Sequence, residues 1–186
     1  MDAAIESLVD LGFAKTTTLE VQKRAGVSRG ALLYHFPSKA ELLAATVVHL
    51  AVLRGRQLKE LAVGLPGGKA RVEAVLDLLW ESFRGPLFQI ATELRFAART
   101  DAELRPVLVE VERDLLDRVN AQARRLFGDE LAALPGYPVA LEMTLQLMIG
   151  AATTAMLHGE HVRVEALINQ WKTIFPTLLE GGVNGK

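Results

Sequence analysis

Residues 17–36 read TTLEVQKRAGVSRGALLYHF and form the most informative stretch of the chain. Thr17 and Glu20 have the Ser/Thr-x-x-Glu spacing that begins a helix, and Gly26 ends that helix where a backbone with positive φ is easiest. Ser28 then caps a second short helix. Two short helices separated by a three-residue turn are a helix-turn-helix.

The second helix of this motif, predicted over residues 29–36, carries the side chains that we expect to read DNA. In such motifs the N-terminal half of the second helix enters the major groove. Arg29 can pair bidentately with guanine, Gly30 lets the helix sit deep, and Leu33 can cover a thymine methyl group. Residues with polar side chains around this helix can contact phosphates. The candidates for base contacts are Arg29, Gly30, Ala31 and Leu33, and the candidates for phosphate contacts are Thr17, Tyr34, His35 and Lys39. The alternative is that Tyr34 and His35 pack inside the N-terminal domain, residues 1–47, which we call the head.

The charge of the chain suits a confined contact with DNA. Its formal net charge is −1, which argues against indiscriminate binding to nucleic acid. From Lys15 to Lys39, however, there are five basic residues and one acidic residue, Glu20. A local basic face of this kind suits phosphate contacts, although an ordinary solvated surface has the same composition.

Several identities stand at fixed spacing in and after the motif: AGVSRG at 25–30, Leu32, YHF at 34–36, Ser38-Lys39 and Leu42. Together they resemble the DNA-binding signature of TetR-family regulators, over about residues 3–47. The resemblance implies a homodimer and repression that a small molecule relieves. It also implies DNA contacts at the positions matching Thr17, Ser28, Arg29, Gly30, Leu33, Tyr34, His35 and Lys39. Leu33 departs from the family pattern, since an aromatic ring is common at that position.

The rest of the chain has the pattern of helices. Leu, Ala and Val supply most of the apolar residues and aromatic residues make up 6%, which is typical of an all-α protein. Glycine and proline punctuation predicts about nine helices. The fourth, from Ser38 to about Leu61, would connect a helix-turn-helix domain at 1–47 to a helical bundle at 48–186 that senses ligand and dimerises.

Two further signals concern helix boundaries. Ser38 with Glu41 and Thr100 with Glu103 repeat the Ser/Thr-x-x-Glu spacing, so each pair predicts a helix start. A kink or break is expected at Pro106 and at Pro176, because proline removes a helical hydrogen bond.

The segment at 138–158 is apolar on two sides. One stripe consists of Leu141, Leu145, Met148, Ala152 and Ala155, and the other of Met143, Leu147, Gly150, Thr154 and Leu157. A helix that is apolar on two sides needs two partners, so we expect one stripe to face the core and the other a second subunit. The resemblance agrees, because it implies a homodimer through the helices around 138–158 and 162–180. Deep burial inside one monomer is the alternative.

An apolar pocket for a small apolar or amphipathic effector is expected in the second domain. Its candidate lining residues are Trp80, Phe83, Phe88, Phe96 and Met143, with Glu93, Arg95 and Arg99 as polar anchors. Each of these side chains can instead fill the core, and their spacing identifies no ligand.

The sequence also excludes several classes of site. There is no cysteine, so thiolate metal sites and a cysteine nucleophile are ruled out. His158-Gly159-Glu160-His161 lacks the i, i+4 histidine pair of a zinc helix, and no catalytic or phosphate-loop motif occurs. We therefore expect no metal, no cofactor and no enzymatic activity.

The expected location is the cytoplasm. The N-terminal stretch lacks the basic start and long apolar run of a secretory signal. The apolar run at 143–157 is shorter than the roughly 18 to 20 residues that span a membrane. The sequence therefore favours a ligand-responsive repressor that binds a pseudo-palindromic operator in double-stranded DNA. The alternatives are an activator with the same head, a helical small-molecule-binding protein that does not bind DNA, and a small helical enzyme.

Overall fold

In the computed structural model, which describes residues 1–158 and 162–181, short turns join helices of very different length. These described residues contain ten α-helices, one 3-10 turn at Ala62–Gly64 and no strand, so the prediction of an all-α protein with about nine helices is confirmed. The helices are α1 (Asp2–Lys15), α2 (Thr18–Ala25), α3 (Arg29–His35), α4 (Lys39–Leu61), α5 (Gly68–Phe83), α6 (Pro86–Ala98), α7 (Leu104–Phe127), α8 (Asp129–Ala132), α9 (Tyr137–His158) and α10 (Val162–Glu180).

Three of the predicted helix starts are confirmed by their capping hydrogen bonds. The side-chain oxygens of Thr17, Ser28 and Ser38 each accept the backbone N–H of the residue three positions later, at 3.1 Å. Each bond satisfies one of the amides that a helix start leaves without a partner. Local spacing was therefore a sufficient guide to where α2, α3 and α4 begin.

The predicted cap at Thr100 is wrong by one residue. Oδ1 of Asp101 accepts the N–H groups of Glu103 and Leu104, at 3.0 and 2.9 Å, and so caps α7. The Thr100 hydroxyl instead donates to the carbonyl of Ala97, 3.4 Å away at the end of α6. Because the Thr100 hydroxyl is hydrogen-bonded to the end of α6, the next residue with a suitable side chain, Asp101, caps α7.

The breaks predicted at two prolines are not found. Pro106 is the third residue of α7, in the first turn, where a missing N–H costs no helical hydrogen bond. α10 runs on through Pro176. Phe175 and Leu179, on either side of that proline, are both buried in the core, so tertiary packing holds the last turn in place.

The helices divide into two compact units. The first unit contains Met1–Arg56 and Pro86–Arg118, and the second contains Gln57–Gly85 and the described residues from Val119 onward. Packing thus groups the head with α6 and most of α7, and it does not follow the boundary predicted between residues 47 and 48. The assignment of DNA binding to 1–47 and of sensing to 48–186 stays a prediction.

The core of the first unit has two parts, and α1 and α4 contribute to both. Ala4, Val21, Leu32 and Leu42 pack together and join α1, α2, α3 and α4. A larger cluster joins α1 and α4 to α6 and α7; its buried members are Leu8, Ala40, Leu43, Val47, Leu50, Ile90, Leu94, Ala98, Leu104 and Leu108. Within this unit, α1 and α4 therefore lie between the helix-turn-helix and α6.

The core of the second unit is formed by α5, the end of α7, α9 and α10. Phe127 stacks on Phe175 with ring centroids 5.0 Å apart, and Trp171 Nε1 donates to the Thr144 hydroxyl at 2.9 Å. The first apolar stripe of α9 faces this core, as predicted: Leu141, Leu145, Met148 and Ala152 are buried. In the second stripe Met143, Gly150, Thr154 and Leu157 are exposed and Leu147 is partly buried. The alternative for this stripe, deep burial inside one monomer, is therefore wrong.

Candidate DNA interface

The turn between α2 and α3 is built by two residues. Gly26 ends α2 in the left-handed conformation, with φ 65° and ψ 25°, which favours glycine. Ser28 then takes an extended conformation and caps α3. The turn fixes the direction in which α3 leaves α2, and Leu32 anchors α3 by its burial against Val21.

The face of α3 opposite Leu32 is open to solvent. Arg29, Gly30 and Ala31 are exposed at its N-terminal end, and Leu33 is half-buried. A Cβ atom built on Gly30 meets no heavy atom of the described chain within 4 Å, so packing within the chain does not require glycine there. The small residues Gly30 and Ala31 therefore add little bulk to the N-terminal end of α3 beside Arg29, which suits entry of this helix into a major groove.

Tyr34 and His35 both project outward from the end of α3. Tyr34 is 82% exposed, and its ring meets the edge of the His35 ring at a centroid distance of 5.2 Å. His35 is exposed as well. Their packing inside the head, the alternative to a DNA contact, therefore has no support in this geometry. The Thr17 hydroxyl is also on the surface, and its proton is available because the oxygen acts as an acceptor in the cap.

Two of the five basic residues around the motif are engaged within the chain. Arg24 bonds to the carboxylates of Asp10, at 2.6 Å, and Glu20, at 2.9 Å, and these hydrogen bonds raise its pKa. Lys39 Nζ donates to the Phe13 carbonyl at 2.8 Å and lies 4.2 Å from the centroid of the Phe13 ring.

Burial lowers the pKa of the Lys39 ammonium, and the charges of Asp101 and Glu93 oppose that shift. Lys15, Lys23 and Arg29 remain exposed. The phosphate contact expected of Lys39 stays a prediction, and the internal role of this lysine was missed in the sequence.

The residues predicted to form an effector pocket have varied surroundings. In the first unit Phe88 is buried, Phe96 is 63% exposed and Arg95 pairs with Glu112 at 2.7 Å. Oε1 of Glu93 accepts the backbone N–H of Phe13, at 2.8 Å, in an internal role that the sequence did not indicate.

In the second unit Trp80 and Phe83 are half-buried against the core, and Met143 lies on the exposed stripe of α9. Their assignment to a pocket stays a prediction. A separate surface groove of about 570 Å³ in the first unit is lined by the end of α6 and the start of α7, and it includes Arg99.

In the described ranges 1–158 and 162–181, no group of three or more His, Cys, Asp or Glu residues is arranged so that it could hold a metal ion. Gly159, Glu160 and His161 lie outside the described residues. They belong to the segment that was compared with a zinc-binding helix in the sequence. α9 is long and apolar enough to cross a membrane by length and composition alone, but the core helix of a soluble protein meets the same criterion.

Comparison with known proteins places these features in a family context. Residues 1–46 match the family profile described as bacterial regulatory proteins, tetR family. An HTH-type transcriptional regulator of Mycobacterium tuberculosis is 28% identical over 82% of this chain and 78% of its own length. The HTH-type transcriptional regulator CymR of Pseudomonas putida is 38% identical over 55% of this chain and 51% of its own length.

A solved structure has a similar fold over nearly all of the chain's length. The transcriptional regulator FadR from Bacillus subtilis, in complex with stearoyl-CoA, matches with a TM-score of 0.65 over 98% of this chain and 97% of that chain. The sequence identity is 18%, so the likeness concerns the fold.

Proposed function

We propose that the chain, whose residues 1–46 match the profile of the tetR family of bacterial regulatory proteins, is a cytoplasmic repressor that a small effector releases from DNA. It is a helix-turn-helix transcriptional regulator of the TetR type. The proposal adds that a homodimer places two copies of α3 in successive major grooves of a pseudo-palindromic operator. The single observation that carries it is the exposed, serine-capped end of α3 at Arg29 and Gly30.

The test is a gel shift with DNA from upstream of the chain's own gene. Arg29→Ala should weaken specific binding by roughly tenfold or more, because a bidentate arginine–guanine pair discriminates by about 1–3 kcal/mol. Arg125→Ala is the matched control, since it removes the same charge from an exposed position on α7. If Arg29→Ala and Arg125→Ala bind with the wild-type affinity and selectivity, the assignment of the recognition helix is wrong.

A second copy of the chain is the proposed partner of the exposed stripe on α9. Val139, Met143 and Leu157 are exposed there, and a Cβ atom built on Gly150 between them would meet no other part of the described chain within 4 Å. On α10, Leu167 and Ile174 are also exposed, and α10 packs directly on α9. An isologous pairing of these two helices with the same two helices of another subunit would remove this apolar surface from water. Sedimentation that finds a monomer at micromolar concentration would contradict the proposal.

The effector is proposed to be small and apolar or amphipathic. The Bacillus subtilis FadR structure contains stearoyl-CoA, and long-chain acyl thioesters are therefore the first class to try on this chain. The two heads of a dimer bind the operator only when their separation matches that of its two half-sites. A ligand therefore releases DNA only if it binds a form with a different separation more tightly than the operator-binding form. Titration of the protein–operator complex with stearoyl-CoA tests this class, with free coenzyme A as the control for the headgroup.

Two alternatives to a repressor are an activator and a helical binding protein that does not contact DNA. An activator would use the same head, and a reporter assay with the upstream region separates the two by the sign of the response. A helical binding protein without DNA contact is disfavoured by the exposure of Arg29, Tyr34 and His35 on one short helix.

A further inference from the structure

α1 is interrupted at Gly12, and the interruption exposes one peptide group to the rest of the first unit. Gly12 has φ 72° and ψ 175°, outside the helical region, although the helix resumes to Lys15. Beyond the break, the Thr16 hydroxyl lies within hydrogen-bond distance of the carbonyls of Ser7 and Gly12, at 3.0 and 2.8 Å, and Thr16 is fully buried. The broken turn is thus a fixed conformation with its own hydrogen bonds.

Phe13, directly after the break, is bonded at both ends by other helices. Its N–H donates to Oε1 of Glu93, from α6, at 2.8 Å. Its carbonyl accepts Nζ of Lys39, the first residue of α4, also at 2.8 Å. Three helices of the first unit therefore meet at a single residue, and both bonds are charge-assisted, which makes them stronger than neutral ones.

The bond between Glu93 and the Phe13 amide requires glycine at position 12. A Cβ atom built on Gly12 would lie 2.7 Å from Oε1 of Glu93, so only glycine lets the carboxylate reach the Phe13 amide. Glycine also suits the positive φ at that position. Moving the carboxylate would leave the half-buried Phe13 N–H without an acceptor.

The helix that receives this contact also supports the helix-turn-helix. α1 packs against α6 and against α2, and α2 packs against α3. Ala4 of α1 shares a buried cluster with Val21 and Leu32, the residues that seat α2 and α3. A shift of α6 at Glu93 would therefore be transmitted through α1 to the orientation of α3.

We infer that Glu93 is a positioning residue of the DNA-reading head, which it holds in its binding orientation through the Phe13 amide. The inference rests on the proposed DNA-binding function but on a different set of residues. It gives Glu93 a role in place of that of an effector anchor. Lys39 holds the same residue from the carbonyl side, so α6 and α4 act on α1 together.

The test compares four full-length variants for binding to the upstream DNA and for hydrogen exchange of residues 18–35. Glu93→Ala removes the acceptor, Glu93→Asp keeps the charge but shortens the reach, and Glu93→Gln keeps an oxygen acceptor without the charge. Gln89→Ala is the matched control, because it removes an exposed polar side chain from the same helix.

We expect Glu93→Ala and Glu93→Asp to weaken DNA binding about tenfold, as fewer heads occupy the competent orientation, and to speed exchange across α2 and α3. Glu93→Gln should stay within about twofold of wild type, as should Gln89→Ala. Wild-type exchange in residues 18–35 of both Glu93→Ala and Glu93→Asp would overturn the inference, as would an equal effect of Gln89→Ala.

If Glu93→Ala does not fold, the comparison of Glu93→Asp with Glu93→Gln decides. If the wild type binds no upstream DNA, the proposed function fails by itself, and hydrogen exchange still decides the role of Glu93.

Discussion

Replacement of Gly136 by alanine is expected to destabilise the second unit strongly. A Cβ atom at this position would lie 1.8 Å from the carbonyl oxygen of Leu178 and 3.0 Å from that of Leu179. A carbon and an oxygen that are not bonded need more than about 3 Å, so the α8–α9 turn and the end of α10 must separate by more than an ångström. That movement would also stretch the bond from the Gly136 N–H to the Leu179 carbonyl, now 3.2 Å.

The magnitude follows from these two losses. Forced overpacking costs typically 1–3 kcal/mol and a lost hydrogen bond about 1 kcal/mol, so Gly136→Ala should lower the free energy of unfolding by about 2–4 kcal/mol. Urea denaturation followed by circular dichroism measures this, at one fixed protein concentration because a dimer would make stability concentration-dependent. Gly64→Ala is the control, since Gly64 is exposed with open space around it, and its effect should stay within about 0.5 kcal/mol. A loss below about 1 kcal/mol in Gly136→Ala would refute the steric reasoning.

Two further predictions concern the second unit. Leu157→Glu should shift sedimentation toward the monomer, because Leu157 is 83% exposed within one chain and would bring a charge into the proposed interface; an unchanged dimer would exclude this part of α9 from the contact. Tyr137→Phe should leave stability equal or raise it by about 1 kcal/mol, since the buried hydroxyl has no hydrogen-bond partner in the described residues. Burial raises the pKa of Tyr137 to about 12; because the unfolded chain releases this proton more readily, wild-type stability should fall between about pH 10 and 12, and Tyr137→Phe should show a shallower fall in the same pH titration.

The sequence was a good guide wherever a structural signal lies within a few residues. The caps at Thr17, Ser28 and Ser38 are examples, because a hydroxyl and the amide three positions later need no information from elsewhere in the chain. The two stripes of α9 were separable for a similar reason, since helical periodicity alone assigns Met148 and Leu157 to different faces. Thr100 and Asp101 were not separable, because the choice between them depends on how α6 ends.

Contacts between distant segments were beyond the reach of sequence spacing. Glu93 and Phe13 are 80 positions apart, and their bond exists only because the backbone at Gly12 leaves the helix. Sequence spacing names no distant partner for either charged residue, so Glu93 was predicted to anchor an effector and Lys39 to contact a phosphate. The glycine before Phe13 was the available signal, but it marks a break without naming the partner.

The internal engagement of basic residues bears on how a chain of net charge −1 selects DNA. Arg24 is held by two carboxylates and Lys39 by a carbonyl and a ring, so their charges are partly compensated within the head. Sequence-independent affinity grows with the number of phosphates that free cations neutralise, whereas discrimination between sites comes from contacts with base edges. A head that keeps Arg29 exposed at the tip of α3 while engaging neighbouring cations internally has less of the first and retains the second. The proposed repressor would on this account depend for its affinity on two heads correctly spaced on one operator, and a change in the support of α1 would then be enough to release it.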